Sequence, residues 1–338
     1  MRLLRGVILT LVFGAALAAV VGLFLPSTVS VSRFVIVNAP KAKVFATIDS
    51  LRAFSRWSPW TERDPAIKFR FDGPDSGVGQ KMHWESAQKN VGSGSMEITD
   101  SLTNEKLVMS IVFGGQGHAG SSLALEDFAG GGTKVTWSFS YTVGANPFAR
   151  YVGLIMPSVI GDEYAHGLSR LKSYVETIPK VDISDLQVSR VSLAPRTLIS
   201  ASETAINTPE GMTHALAAAY KVLAAAMKST KLAPDGAPIS VAESVKNNDV
   251  TIECSFPVKD LPKDLALPQG VHGGKLAEGE ALSVAYKGDL AGLQTTYVKL
   301  LAYALTKGWK VRGSSWNEYL ADPAASAQLD INIYLPVE

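Results

Sequence analysis

The 338-residue sequence contains one cysteine, Cys254, five scattered histidines and almost no net charge, with 32 basic side chains against 31 acidic ones. A single cysteine cannot close an intrachain disulfide, and together with these histidines it offers no zinc-ligand spacing, so no metal site is expected. The charge balance leaves no basic stripe for nucleic acid and no electrostatic footprint for an anionic membrane surface. A phosphate loop is also missing. Gly115, Gly117 and Gly120 have the G-x-G-x-x-G spacing, but residues 121–128 alternate like a strand, and the motif needs a helix N-terminus to hold phosphates. A glycine-rich hairpin is predicted there, no cofactor is expected, and nucleic acid is excluded as a partner.

One long hydrophobic run is present. Residues 7–25 are 19 consecutive positions without a charge, about 28 Å of helix, enough to cross a bilayer. The run ends in bulky Leu23, Phe24 and Leu25 rather than in a small-x-small cleavage site, which favours an uncleaved anchor. Arg2 and Arg5 precede it and no basic cluster follows. The positive-inside rule then predicts a single-pass membrane protein with a cytoplasmic N-terminus and the remainder outside, in the periplasm if the source is bacterial. The length beyond the anchor fits two domains of roughly 150 residues, and the 46% hydrophobic and 19% charged composition is globular.

From Val29 to Thr142 the sequence reads as a strand, a short helical stretch and a run of strands broken by turn residues, an antiparallel sheet in an α+β fold. Val135, Trp137, Phe139 and Tyr141 share one face of their strand; Thr136, Ser138 and Ser140 share the other. Phe148, Val152, Ile155, Tyr164, Leu168, Leu171, Val175 and Ile178 then fall at helical spacing with one nine-residue gap, predicting one stripe laid on the sheet. Gly161 is expected to loosen or kink that helix. The entry strand, Ala39-Pro40, Val44-Phe45 and above all Trp57-Ser58-Pro59-Trp60 resemble the START-like, polyketide-cyclase-like (SRPBCC) superfamily. The resemblance implies a helix-grip fold over residues 27–180, with a mostly apolar cavity for a hydrophobic ligand between sheet and helix.

A second pattern follows the linker. It runs from strands near 187–204 into a helix opened by Thr208, Pro209 and Glu210, then further strands. A second helix between Leu290 and Thr306 has the stripe Leu290, Leu293, Tyr297, Leu300, Leu301, Ala304 and Leu305. Tyr286-Lys287-Gly288-Asp289-Leu290, then residues 316–323 with Trp316, Glu318, Asp322 and Pro323, then Ile333-Tyr334-Leu335-Pro336-Val337, resemble the gyrase-inhibitor-like, effector-binding family of bacterial transcription activators. The resemblance implies, over residues 186–338, two strand-helix-strand-strand repeats around a groove for small cationic or aromatic molecules. It also places Glu318 in that groove.

Glu318 is the strongest candidate site residue. It lies two positions from Trp316 on a predicted strand, so both side chains face one way, and a carboxylate beside an indole suits a cation. Tyr286, on the face of Leu282 and Val284, is a further candidate for the groove. In the first domain Trp84 and Trp137, with Trp57, Trp60 and Met109, are candidate cavity linings that suit an apolar or aromatic ligand. His83 and His118 have no evident carboxylate or nucleophile partner, Glu253 reads as a solvent-facing strand residue, and Cys254 as an inert core thiol. Three classes of function stay open. Binding or sensing of a small hydrophobic, aromatic or cationic ligand leads. A hydrolase or cyclase using Glu318 as acid or base is second, and an envelope interaction protein without ligand is third.

Overall fold

Helix α1 (Arg2–Phe24) is unbroken, and its Arg5–Phe24 portion is long and apolar enough to cross a membrane by length and composition. The computed structural model describes residues 2–114, 117–246, 248–262, 264–321 and 328–338. The chain divides into two compact units, Met1–Ile178 with Thr306–Gly308, and Pro179–Leu305 with Trp309–Glu338.

In the first unit α1 is followed by β1 (Thr28–Val37) and three short helices, α2 (Lys41–Ile48), α3 (Leu51–Trp57) and α4 (Pro59–Arg63). Six strands come next: β2 (Lys68–Asp72), β3 (Lys81–Glu85), β4 (Ser93–Leu102), β5 (Lys106–Phe113), β6 (Gly117–Phe128) and β7 (Gly132–Thr142). Helix α5 (Val152–Thr177) closes the unit. The strands form one curled antiparallel sheet in the order β1-β7-β6-β5-β4-β3-β2. The Trp-Ser-Pro-Trp segment is a corner between two helices: Trp57 ends α3, Ser58 accepts a hydrogen bond from the Trp60 N–H at 3.3 Å, and Pro59 supplies the preset first helical residue. Alternation sets the core. Val135, Trp137 and Phe139 are buried on the face turned to α5.

Helix α5 departs from its predicted stripe. Tyr164, Leu168, Leu171 and Val175 are buried against the sheet, whereas Phe148, Val152 and Ile155 are 52%, 56% and 67% exposed. Their periodicity was helical but marks a separate, outward face, and the nine-residue gap is where the face changes. Gly161 does not interrupt the helix. The helix continues through both Gly161 and Pro157, and Gly161 is buried because the Arg33 guanidinium lies where a side chain would be.

The second unit begins with β8 (Ser189–Leu193) and β9 (Arg196–Ile206), then α6 (Pro209–Thr230), β10 (Ile239–Lys246), β11 (Asp249–Val258) and β12 (Val271–Leu276). It ends with β13 (Gly279–Gly288), α7 (Leu290–Thr306), β14 (Trp316–Tyr319) and β15 (Leu329–Val337). Thr208 caps α6 by accepting from the Gly211 N–H at 3.1 Å, with Pro209 first in the helix. The antiparallel sheet runs β12-β9-β11-β10-β14-β15-β13-β8. Strand-helix-strand-strand therefore occurs twice, as β9-α6-β10-β11 and β13-α7-β14-β15, and the two halves meet at β10 and β14. Side chains of α6 and α7 pack with Ile199, Ile252, Cys254, Val284, Ile331 and Ile333 in one core on a single face of the sheet. Leu301 of the expected α7 stripe points outward instead.

Candidate functional site

Between the first sheet and α5 lies a cavity of about 300 Å3. Its walls include the aromatic side chains of Phe54, Trp60, Phe69, Trp84, Phe113 and Phe139. Trp84 is held in three ways. It meets Phe113 edge-on at 6.1 Å, its indole N–H donates to the Val91 carbonyl at 3.4 Å, and its ring lies over Gly94, the residue opposite it in β4, where any side chain would collide. Polar residues share the wall. Arg63 of α4 and Glu163 of α5 form an ion pair at the cavity wall, the carboxylate side chain only 15% exposed. Ser58, Lys89, Asn90, Ser93 and Tyr164 are also in the lining. A mostly apolar enclosure with a few fixed polar groups is the usual form of a small-ligand site.

Of the sequence candidates, Trp60 and Trp84 line this cavity. Trp137, Trp57 and Met109 do not; all three are buried in the closed core behind it. Trp137 is stacked on Tyr164 and donates its N–H to Ser121 Oγ at 2.8 Å. Arg63 and Glu163 escaped sequence reasoning because they are 100 positions apart and neither belongs to a local motif.

Neither the histidines of the first unit nor Gly117 and Gly120 line the cavity. His83 does have a carboxylate partner, contrary to expectation: its Nε2 lies 3.0 Å from Asp72 Oδ2. The pair sits on the opposite sheet face from Met82 and Trp84, across the β2–β3 register that the sequence could not reveal. His118 is exposed in β6 opposite Val112. Strand β6 begins within the glycine motif, at Gly117, and continues through residues 121–128 as their alternation predicted, while Gly115 lies outside the described residues. Among the described residues no group of three or more His, Cys, Asp or Glu is placed to hold a metal ion.

In the second unit Trp316 and Glu318 share the sheet face away from α6 and α7, where Trp316 packs with Leu198 and Ile239. Trp316 is stacked on Tyr334, with ring centres 4.1 Å apart and planes 16° from parallel. Its buried indole N–H has no acceptor among the described residues. Glu318 is already paired: Arg196 Nη1 lies 2.7 Å from Oε1, and the Tyr334 hydroxyl donates to Oε2 at 3.0 Å. Burial, then the Glu318 carboxylate, hold the Tyr334 phenol above its ordinary range. Both carboxylate oxygens are engaged from within the chain, so the expected open cation site is filled by Arg196. Tyr286 belongs to the other face. It packs against the helix-side core and donates to the Asp289 carbonyl at 2.6 Å, so the structure does not bring it together with Glu318 and Trp316. Glu253 meets His272 at 3.2 Å on the helix-free face. Asp322 and Pro323 lie outside the described residues.

No curated protein matches this chain. Solved structures do, at low identity. One is described as "Cryo-EM structure of EcmrR-DNA complex in EcmrR-RPo", 16% identical, covering 56% of this chain and 72% of that one, with a TM-score of 0.40. Protein CV1439 from Chromobacterium violaceum is 17% identical, covering 45% of this chain and 99% of its own, with a TM-score of 0.33. CalU16 from Micromonospora echinospora is 18% identical, covering 45% and 76%, with a TM-score of 0.31. The similarity to a protein seen in a complex with DNA corrects one expectation: nucleic acid does not stand excluded as a partner. Net charge is a sum over the whole chain and does not bar any one surface from a polyanion. Residues 28–176, the sheet and gripping helix that enclose the cavity, match the family described as polyketide cyclase / dehydrase and lipid transport, as the Trp-Ser-Pro-Trp corner implied.

Proposed function

We propose that this protein binds a small hydrophobic, aromatic ligand in the cavity of its first unit and is held at a membrane by α1. The observation that carries the reading is the aromatic cavity with the Arg63–Glu163 ion pair in its wall. At about 300 Å3 it suits a ligand of two or three fused rings rather than a long acyl chain. The family description supports handling of polyketide-like or lipid-like molecules. The length and apolar character of α1, with Arg2 and Arg5 at its start, support a single span, the N-terminus cytoplasmic and both units outside. Binding is favoured over acid-base chemistry at Glu318, whose oxygens are occupied by Arg196 and Tyr334.

The test is titration of the full chain in detergent with anthracene-9-methanol, read by tryptophan fluorescence and by native mass spectrometry. One molecule should bind per chain, and Trp84→Ala should weaken binding by roughly tenfold, the loss of one aromatic wall contact. Absence of binding by the wild type, or equal binding by Trp84→Ala, overturns the reading.

A further inference from the structure

The first turns of α5, with Phe148 just before the helix, are apolar on the side that faces away from their own domain. Phe148, Val152, Ile155 and Val159, spaced by four, three and four residues, form an outward stripe, each more than half exposed, with Leu154 beside it at 60%. Residues 151–161 contain no charge, and Asp162 and Glu163 end the run. An exposed patch of this kind on a folded domain marks a contact surface.

Its neighbour within the same unit is the end of α1. The Arg150 guanidinium donates to the Leu23 carbonyl at 2.8 Å and to the Leu25 carbonyl at 3.1 Å, closing the C-terminal end of α1 with a cation as the helix dipole favours. The Tyr151 hydroxyl donates to the Ala18 carbonyl at 2.8 Å. Ala18 is six residues before Phe24, about 9 Å back along the helix axis. If α1 crosses a bilayer with Phe24 at the outer boundary, Tyr151 reaches below that boundary and Arg150 lies at it, the depths at which tyrosine and arginine anchor membrane segments. The outward stripe starts at the same level.

We infer that this stripe of α5 is inserted in the outer leaflet of the bilayer that α1 spans, so that the cavity, whose wall includes Val159 and Ile160 from the same turns, opens at the lipid surface. A hydrophobic ligand then passes between bilayer and cavity without crossing water. The inference rests on the membrane reading of α1, and the experiment separates the two.

The full chain is reconstituted in phosphatidylcholine vesicles as Val12→Cys, Ile155→Cys or Phe128→Cys, each labelled with an environment-sensitive nitrobenzoxadiazole. The only native cysteine, Cys254, is fully buried and stays unlabelled. Phe128 is the water control. It pairs with Gly132 at the end of β7 where Thr133 faces Val37, nine residues of strand or about 30 Å from the start of β1. Brominated phosphatidylcholine should quench the labels at positions 12 and 155 to within twofold of each other and leave position 128 unchanged. Quenching at 12 but not at 155 overturns the inserted stripe while the anchor stands; a label at 155 also shielded from aqueous iodide would mark a protein cover instead. No quenching at 12 overturns the anchor and the inference with it.

Discussion

The indole of Trp137 lies on the phenol ring of Tyr164, ring centres 3.8 Å apart and planes 17° from parallel, and both polar ends converge on one hydroxyl. Ser121 Oγ is 2.8 Å from the indole nitrogen, 3.2 Å from the Tyr164 oxygen and 3.2 Å from the Ser138 carbonyl. All groups are satisfied if Trp137 and Tyr164 donate to Ser121 and Ser121 donates to Ser138. Burial holds the Tyr164 phenol well above its ordinary range, so it remains a donor. Ser121→Ala strands two buried donors and should destabilise the first unit by roughly 2–4 kcal/mol, whereas Tyr164→Phe removes a single hydrogen bond and should cost about 1 kcal/mol. Urea unfolding followed by tryptophan fluorescence gives the two values, and equal costs would contradict the shared-hydroxyl arrangement.

Much of this arrangement is legible in the sequence, because alternation decides which residues of a strand share a face. Val135, Trp137 and Phe139 are buried as their spacing requires. Alternation gives no relation between faces of different strands, which is why Tyr286 could be grouped with Trp316 and Glu318 although the sheet separates them. Pairing across long separations is equally silent: Arg196 reaches Glu318 over 122 positions. Strand β12 escaped because its Val-His-Gly-Gly-Lys-Leu carries two glycines and no alternation. On α5 the period was right and the direction wrong, since spacing defines a stripe without saying what it faces.

The Arg63–Glu163 pair sets what the cavity prefers. Glu163→Gln leaves the guanidinium facing an apolar enclosure without its counter-charge, and a ligand carboxylate can then supply it in a charge-assisted, bidentate contact. Affinity for anthracene-9-carboxylate should rise by roughly tenfold relative to anthracene-9-methanol, about 1.4 kcal/mol. Arg63→Met should shift the ratio the other way. Isothermal titration of both probes against the three proteins measures it, and an unchanged ratio would place the pair outside the ligand's reach.

Arg196 is the resident counter-ion of Glu318. The wild type should therefore bind an aromatic cation such as N-methylacridinium no better than Glu318→Gln does. Arg196→Met frees the carboxylate beside the stacked Trp316 and Tyr334 rings, and affinity should increase by roughly tenfold through the combined charge and ring-face attraction. Fluorescence anisotropy of the dye is the readout. Tight binding by the wild type that is lost in Glu318→Gln would mean that Arg196 yields the site readily.

Cys254 makes the second unit sensitive to alkali. Burial pushes its thiol up to about 12 from an ordinary value of 9.0. The folded state keeps its proton after the unfolded state has lost it, so the contribution to stability is complete below pH 9 and disappears as pH rises toward 12. Cys254→Ala should lose about 1 kcal/mol at pH 7 from the missing sulfur and show a shallower decline across that window. The wild-type thiol should also resist a disulfide reagent at pH 8 until denaturant is added. Rapid native labelling would show that the core opens locally.

Two glycines of α5 separate a rigid neighbour from a yielding one. A Cβ on Gly167 would sit 2.7 Å from Trp137 Cζ3 and 3.1 Å from Pro59 Cδ, atoms fixed by the Tyr164 stack, the Ser121 hydrogen bond and the helix corner. Neither can retreat without disturbing the cavity's back wall. At Gly161 the obstacle is the end of the Arg33 side chain, which can swing aside. Alanine gains about 1 kcal/mol of helix propensity at either position. Gly161→Ala should therefore be neutral or slightly stabilising, while Gly167→Ala should lose about 1–3 kcal/mol from overpacking despite the same gain. Thermal unfolding of both variants decides it. If the two behave alike, the tryptophan is mobile in the folded state and the stack with Tyr164 does not hold it.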